Sequence, residues 1–285
     1  MIRILHMSDL HLEMERWRLN IVGWAAFMAQ HLTVPKHLLR GPMIEESERV
    51  DLIVLAGDVH NSVRGIVYAD QLSRFLQAPA VYVAGNHEFY HQNIERLLPA
   101  LHRAAARTNG RVSFLENNVA TFTFDQQRLN VLGCTLWTDY DLYGDPAGAM
   151  HTAVRRINDH DAIHTGRHSF APEDALRRHL ASRVWLHKTL ARLRHYEAGS
   201  KNLIVTHHAP SGAALGERSG GIGPAYASEL LLEFASYVPA AWIHGHTHFR
   251  HESEEEGIRF VSAPRGYVLY DGMAAQEYRP GILEL

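Results

Sequence analysis

The sequence predicts an α/β fold in which a central sheet system is covered by helices, and three observations carry that expectation. Short runs rich in β-branched residues, such as 51–56 and 202–206, end abruptly in Gly, Asp or His. Stretches with helical spacing of apolar residues separate these runs, the alternation that packed layers of sheet and helix require. The chain's 285 residues, 46% hydrophobic and 21% charged, are enough to bury a sizeable core.

Taken in order, strands are expected over 2–7, 51–56, 80–84, 119–124, 128–137, 202–206 and 241–243. Helices are expected near 64–77, 91–107, 172–196 and 225–236. The tail, 249–285, reads as strands joined by turns, with Glu254-Glu255-Glu256-Gly257 as a hairpin tip between 249–253 and 258–262. Two stretches interrupt this plan. Residues 13–49 carry Trp17, Ile21, Trp24, Phe27 and Met28 at helical spacing, a stripe expected to pack rather than to meet a partner. Residues 139–171 are rich in Asp, His and Gly, and loops of that length often lie over active sites. With no repeat, low-complexity tract or linker, residues 1–285 read as one domain with these two insertions.

Composition narrows the function. A net charge of −3 offers no basic excess for nucleic acid, which is not the favoured partner. Arginines cluster at 155–156, 177–178 and 192–194, positions read as solvated helix faces. The single cysteine, Cys134, excludes an internal disulfide and a cysteine-based zinc site. There is no signal-peptide core, and no apolar stretch reaches the roughly 18–20 residues that span a bilayer. No membrane association and a cytoplasmic location are expected.

Five short segments carry the chemistry: Asp9-Leu10-His11, Gly57-Asp58, Gly85-Asn86-His87-Glu88, Thr206-His207-His208 and Gly245-His246-Thr247-His248. Asp9, His11, Asp58, Asn86, His207, His246 and His248 supply the oxygen and nitrogen donors that two metal ions side by side require. Alternate residues of extended chain share a side, so Asp9 should face the same way as His11, and His246 as His248. Each donor lies at the C-terminal end of an expected strand, where α/β sheets place their sites. A lone Asp-x-His is more often surface chemistry; five such segments at five strand ends are not. Nitrogen with carboxylate or amide oxygen, without sulfur, suits Mn, Fe, Zn or Co, with Mn or Fe favoured. Because histidine ligands must be neutral, metal retention is expected to weaken below about pH 6.

The order of these segments resembles the calcineurin-like metallophosphoesterases, whose pattern is Asp-x-His, Gly-Asp, Gly-Asn-His-Asp/Glu, His and Gly-His-x-His. The match spans residues 9–248. The resemblance implies a four-layer α/β/β/α sandwich with two mixed β-sheets. It implies one metal on Asp9, His11, Asp58 and His248 and another on Asp58, Asn86, His207 and His246, bridged by Asp58. It also gives His87 the role of protonating or stabilising the leaving oxygen. Two ions about 3.5–4 Å apart can hold a bridging hydroxide that attacks phosphorus in line. Neutral histidine and asparagine ligands leave such a site electropositive, which suits a phosphoryl group.

Neighbouring positions refine the reading. Of His207-His208 the first is expected as ligand, with His208 near the pocket edge, while Glu88 is expected to fix local geometry. His244 shares parity with His246, and either approaches the site or makes a strand-end hydrogen bond. Protein phosphatases of the family carry Gly-Asp-x-x-Asp-Arg-Gly and purple acid phosphatases Gly-Asp-x-x-Tyr. Here Gly57-Asp58-Val59-His60-Asn61 fits neither. Asp139 and Tyr140 are expected to open near the metals, Asn158-Asp159 lies in the expected cover, and Arg265 is either a bidentate phosphate clamp or part of an ion pair. The expected activity is hydrolysis of a small phosphomonoester or phosphodiester. A nuclease or cyclic-nucleotide phosphodiesterase is the alternative. A catalytically silent protein-binding scaffold is disfavoured, because no ligand is missing and His87 is present.

Overall fold

The structure, a computed structural model, describes residues 1–15, 49–218, 220–267 and 278–285. Two sheets lie face to face. The first comprises β1 (Arg3–Met7), β2 (Leu52–Ala56), β3 (Ala80–Val83), β4 (Val112–Leu115) and β13 (Gly281–Glu284), in the order β13-β1-β2-β3-β4. All neighbours are parallel except β13 against β1. The second comprises β5 (Asn118–Phe124), β6 (Gln127–Cys134), β9 (Lys201–Thr206), β10 (Ala241–His244), β11 (His251–Glu255) and β12 (Ile258–Ser262). Its order is β11-β12-β10-β9-β6-β5, and both edge pairs are antiparallel.

Strand alternation decides what fills each layer. Leu52, Val54 and Ala56 point into the seam between the sheets, where they meet Val131, Leu203, Val205 and Ile243. Ile53 and Leu55 point the other way, onto Ile66 and Leu72 of α1 (Arg64–Leu76) and Leu101 of α2 (Ile94–Ala106). On the second sheet, Leu132, Ile204 and Trp242 face Leu186, Leu190 and Leu193 of α5 (Pro172–Tyr196) and Phe234 of α6 (Leu231–Phe234). The layers therefore run α/β/β/α. Strands buried on both faces read as unbroken apolar runs, which is why the central ones were visible in the sequence.

Several boundaries differ for physical reasons. Strand β6 stops at Cys134, because Leu136 and Trp137 take φ of 71° and 57° and turn the chain. The helix expected over 225–236 shrinks to α6, since Ala227 instead bridges to Ala209. Strand β4, a four-residue edge strand, is an addition to the expected list, and β13 lies in the tail expected as strands. Glu255 pairs with Ile258, leaving Glu256 and Gly257 as a two-residue turn with φ of 53° and 74°, the positive values a type I′ hairpin needs. Residues 139–171 are not a plain loop. They hold α3 (Pro146–Arg156), α4 (Asp159–Ala162) and the small hairpin β7 (His164–Thr165) with β8 (His168–Ser169). The apolar stripe from Trp17 to Met28 lies outside the described residues. Cys134 is buried, and no described helix is long and apolar enough to cross a membrane.

His6 on β1 is buried at the edge of this core, opposite Gly281, where a Cβ would come within 2.0 Å of its ring. Its Nδ1 has no partner among the described residues. Burial, reinforced by the charge of Arg250, pushes its pKa down to about 3. The unfolded ring takes up a proton near 6.5, so His6 contributes fully above that value and its contribution is lost as pH falls towards 3. Urea unfolding between pH 7 and 4.5 should therefore show wild-type stability falling more steeply than that of His6→Gln. The difference should approach about 1.4 kcal/mol per pH unit, one unmatched proton. Equal slopes would assign the acid sensitivity elsewhere.

Candidate metal centre

The turns that follow β1, β2, β3, β9 and β10 meet at one end of the seam, and hydrogen bonds between them set their positions. Asp9 N donates to Gly57 O and His11 N to Asp58 O, both at 3.0 Å, while Gly245 N donates to His207 O at 2.9 Å. Glu88, fully buried, accepts from Asp58 N (3.0 Å), Val59 N (2.9 Å), Gly85 N (2.6 Å) and Tyr82 Oη (2.5 Å). It ties the turn after β2 to the turn after β3. Asp9, His11, Asp58, His246 and His248 all have left-handed backbone, with φ of 51°, 47°, 53°, 68° and 53°. Their shared direction thus comes from strained turns rather than from strand alternation. Such conformations cost on the order of 1–3 kcal/mol each and persist only where the surroundings over-determine them.

Among the described residues the side chains converge in three overlapping groups: Asp9 with His11 and His248, Asp58 with His207 and His246, and, sharing His11 and Asp58, a third completed by His87. Within each, the candidate donor atoms lie within 4.8 Å of one another. In the first, His248 Nε2 is 3.5 Å from Asp9 Oδ1 and 3.0 Å from His11 Nε2. In the second, His207 Nε2 is 3.5 Å from Asp58 Oδ1, 3.0 Å from Asn86 Oδ1 and 3.1 Å from His246 Nδ1. Asp58 touches both of these, because its other oxygen, Oδ2, is 3.8 Å from His11 Nε2.

Two observations test whether metal ions fit. His207 Nδ1 donates to Ala56 O at 2.9 Å, which leaves the Nε2 lone pair facing Asp58, Asn86 and His246. A Cβ at Gly85 would lie 2.2 Å from Asp58 Oδ1, so the backbone approaches the carboxylate more closely than any side chain permits. A nitrogen-rich cluster around two buried carboxylates, with inward lone pairs and no sulfur, suits first-row cations. Without a metal the same carboxylates are answered by protons on the rings, so a bound ion would have to displace the His207 proton before Nε2 could ligate. Burial works against the charge on Asp58, yet His207 and His87 hold its carboxyl well below the usual range. Burial likewise opposes protonation of those rings, but Asp58 raises His207 to about 10, and Asp58 with Glu13 raises His87 to about 9. Burial first, and then neighbouring histidines, push His246 and His208 well down, keeping them neutral.

His87 completes the third group. Its backbone N–H donates to Asp58 Oδ1 at 2.8 Å, its Nδ1 is 3.0 Å from Glu13 Oε1, and its Nε2 is 3.0 Å from Tyr267 Oη. The ring stacks on Tyr90, with centroids 4.1 Å apart. Asn61 spends its amide on the His87 carbonyl at 2.8 Å, so the carboxylate beside the ring is Glu13, not the residue at position 61. Glu13 also contacts His11 Nδ1 at 3.2 Å. Asp159 of α4 accepts from Asn86 Nδ2 at 2.7 Å and from Tyr90 Oη at 2.8 Å. That turns the Asn86 carbonyl oxygen towards His207. Sequence reasoning missed Glu13, Tyr90 and Tyr267. Only the alternation in Asp9-x-His11-x-Glu13 could have pointed to the first.

Above the donors opens a cavity of about 120 Å³, walled by Tyr90, Arg156, Asn158, Arg218, Tyr226 and Tyr267. The expected substrate contacts do not reach it. Arg265 is buried and donates through Nη1 to Leu10 O at 3.2 Å, bracing the turn that carries Asp9 and His11. His208 is buried behind His246, with ring centroids 4.2 Å apart and its Nδ1 at Thr135 O. Asp139 accepts from Ser228 Oγ and faces His179 and Arg183 of α5, and Tyr140 packs into the core. Both follow from the chain turning at Leu136–Trp137 rather than continuing as strand. His244 makes the strand-end contact, Nδ1 to Gly245 O at 3.2 Å, and stays out of the cluster.

The Gly85 approach gives a direct test. Gly85→Ala should weaken metal binding by at least about tenfold in calorimetry with Mn²⁺, because Asp58 must move; unchanged affinity would show that Asp58 is not a ligand.

Comparison with known proteins places this geometry. A family model for calcineurin-like phosphoesterase matches residues 2–250. Among solved structures, the phosphopantetheinyl hydrolase of Mycobacterium tuberculosis is similar over 98% of this chain and 95% of its own, at 18% identity and a TM-score of 0.67. The TT1561 protein of Thermus thermophilus is similar over 92% and 89%, at 12% identity and a TM-score of 0.51. No curated protein sequence matches. At these identities the structural likenesses speak for the fold alone. The family match covers most of the chain and every candidate ligand, and the chain belongs to the calcineurin-like phosphoesterase family, as a metal-dependent phosphoesterase.

Proposed function

We propose that this chain hydrolyses small phosphomonoesters or phosphodiesters with two first-row metal ions, Mn or Fe by preference. The observation that carries the reading is Asp58, whose two oxygens face separate histidine groups. In this reading Asp9, His11, Asp58 and His248 hold one ion, and Asp58, Asn86, His207 and His246 the other. Bound ions would activate water and neutralise the phosphoryl oxygens.

The remaining work falls to side chains. Water oxygen joins phosphorus, the ester P–O bond breaks, and the leaving oxygen needs a proton. Tyr90 and Tyr267 fix the plane of the His87 ring. The segment holding α3 and α4 closes over the donors, which supports a small substrate over a nucleic-acid strand. A phosphopantetheinyl ester, the group named for the structural neighbour, falls within this class.

Chelation followed by dialysis should abolish hydrolysis of aryl phosphates, with Mn²⁺ restoring it, and Asp58→Asn should lower kcat by about a hundredfold or more. Full activity in the stripped protein, or in Asp58→Asn, would defeat the reading. Leaving groups separate the role of His87 from general disruption. His87→Asn and Glu13→Gln should each lose at least about tenfold more on alkyl phosphates than on 4-nitrophenyl phosphate, whose leaving group needs no proton. Equal losses on both would leave these residues a structural role only.

A further inference from the structure

The cavity wall carries a feature that the hydrolytic reading does not use. Arg156, at the end of α3, and Arg218 both line it, from segments far apart in sequence. They come together because α3 packs against the short turn Gly223–Ala225, which carries the chain from Arg218 to Tyr226. Several other arginines answer to carboxylates: Arg74 and Arg111 to Asp70, Arg128 to Glu197, Arg178 to Glu95, Arg183 to Glu233. Neither Arg156 nor Arg218 has a carboxylate partner among the described residues. Among the described residues Asp58 is the one acid on the wall, and its oxygens already face the histidine groups.

Arg218 is held without being neutralised. Its Nη1 donates to Tyr226 Oη at 3.1 Å, and its guanidinium carbon lies 5.0 Å from the Tyr226 ring centroid. Tyr226 in turn stacks on His246, with centroids 4.6 Å apart and ring planes 28° from parallel. One tyrosine ring therefore separates this guanidinium from a candidate ligand. Positive charge stands beyond the donor cluster, on the wall of the same cavity, in a chain whose net charge is −3. A lone phosphate at the metal ions would not need it.

We propose that Arg156 and Arg218 bind a second anionic group of the substrate. The substrate class is then a small phosphoester bearing a phosphate or carboxylate a short spacer away from the scissile phosphorus. This rests on the hydrolase reading above. It makes the segment 139–171, which supplies Arg156 and Asn158, a determinant of specificity. Of the arginine pair at 155–156, both exposed as the sequence expects of a solvated face, Arg156 also lines the cavity.

The test compares matched pairs with the Mn²⁺-loaded full chain: 4-carboxyphenyl against 4-carbamoylphenyl phosphate, and alkanediol bisphosphates against the monophosphates of the same diols. The anionic member of at least one pair should be preferred by about tenfold or more in kcat/KM, mainly through KM. Added salt should erode that preference. Arg156→Ala combined with Arg218→Ala should bring the ratio towards one. Calorimetry with the corresponding bisphosphonates and monophosphonates, which are not hydrolysed, should show the same ordering in binding. Which pair discriminates identifies the group as carboxylate or phosphate. No preference in either pair, or a preference that survives the double substitution, overturns the inference and leaves the hydrolase reading standing. Failure to hydrolyse any of the esters with Mn²⁺ overturns the hydrolase reading itself, and the inference with it.

Discussion

A carboxylate shut away from water must be answered by positive charge, and Asp58, 1% exposed where both sheets end, sets that demand for the whole seam. The residues around it are arranged as answers. His207 and His87 lean towards the charged state in response, while Glu88 collects the main-chain donors of Asp58, Val59 and Gly85 so that the turn beneath the carboxylate cannot relax. Glu88 is itself raised to about 7, by burial first and by Asp58 second, which keeps a second full negative charge from gathering beside the first. The apolar seam of Leu52, Val54 and Ala56 leads directly to this point, so the same burial that stabilises the sheets makes the site dry.

Much of the layered fold was legible because the central strands are buried on both faces and read as apolar runs of the right length. What escaped has a physical cause in each case. Strand β4 is a four-residue edge strand interrupted by Ser113, so no unbroken apolar run marks it. The helix α3 has a weak apolar face, only Ala153 being buried, so its pattern looked like loop. Leu136 and Trp137 are large apolar residues in a left-handed turn, a placement that propensity argues against and tertiary packing imposes.

The site shows the same division. Donor identity was readable, since few side chains offer a metal nitrogen or oxygen and their spacing is short. Direction was not. Asp9 and His11 face together through two left-handed residues, a geometry no strand alternation implies. The substrate side was less legible still. His208 adjoins a ligand in sequence and Asp139, Tyr140 and Arg265 follow strands, yet the structure uses all four to brace turns and fill core. The cavity wall is instead assembled from Arg156, Arg218, Tyr226 and Tyr267, which adjacency in sequence cannot relate.

One contact described above links the cover to the chemistry. Asp159 belongs to the segment that walls the cavity, and its carboxylate grips the amide nitrogen of Asn86. Anything that shifts this segment also shifts the rotational setting of a candidate ligand, so cover and centre are not independent parts. A transplant of 139–171 from a relative with a different substrate would succeed only if an acceptor returned to the place of Asp159. The segment is a cartridge with a keyed end, free to vary along its cavity face and fixed where it plugs into the centre.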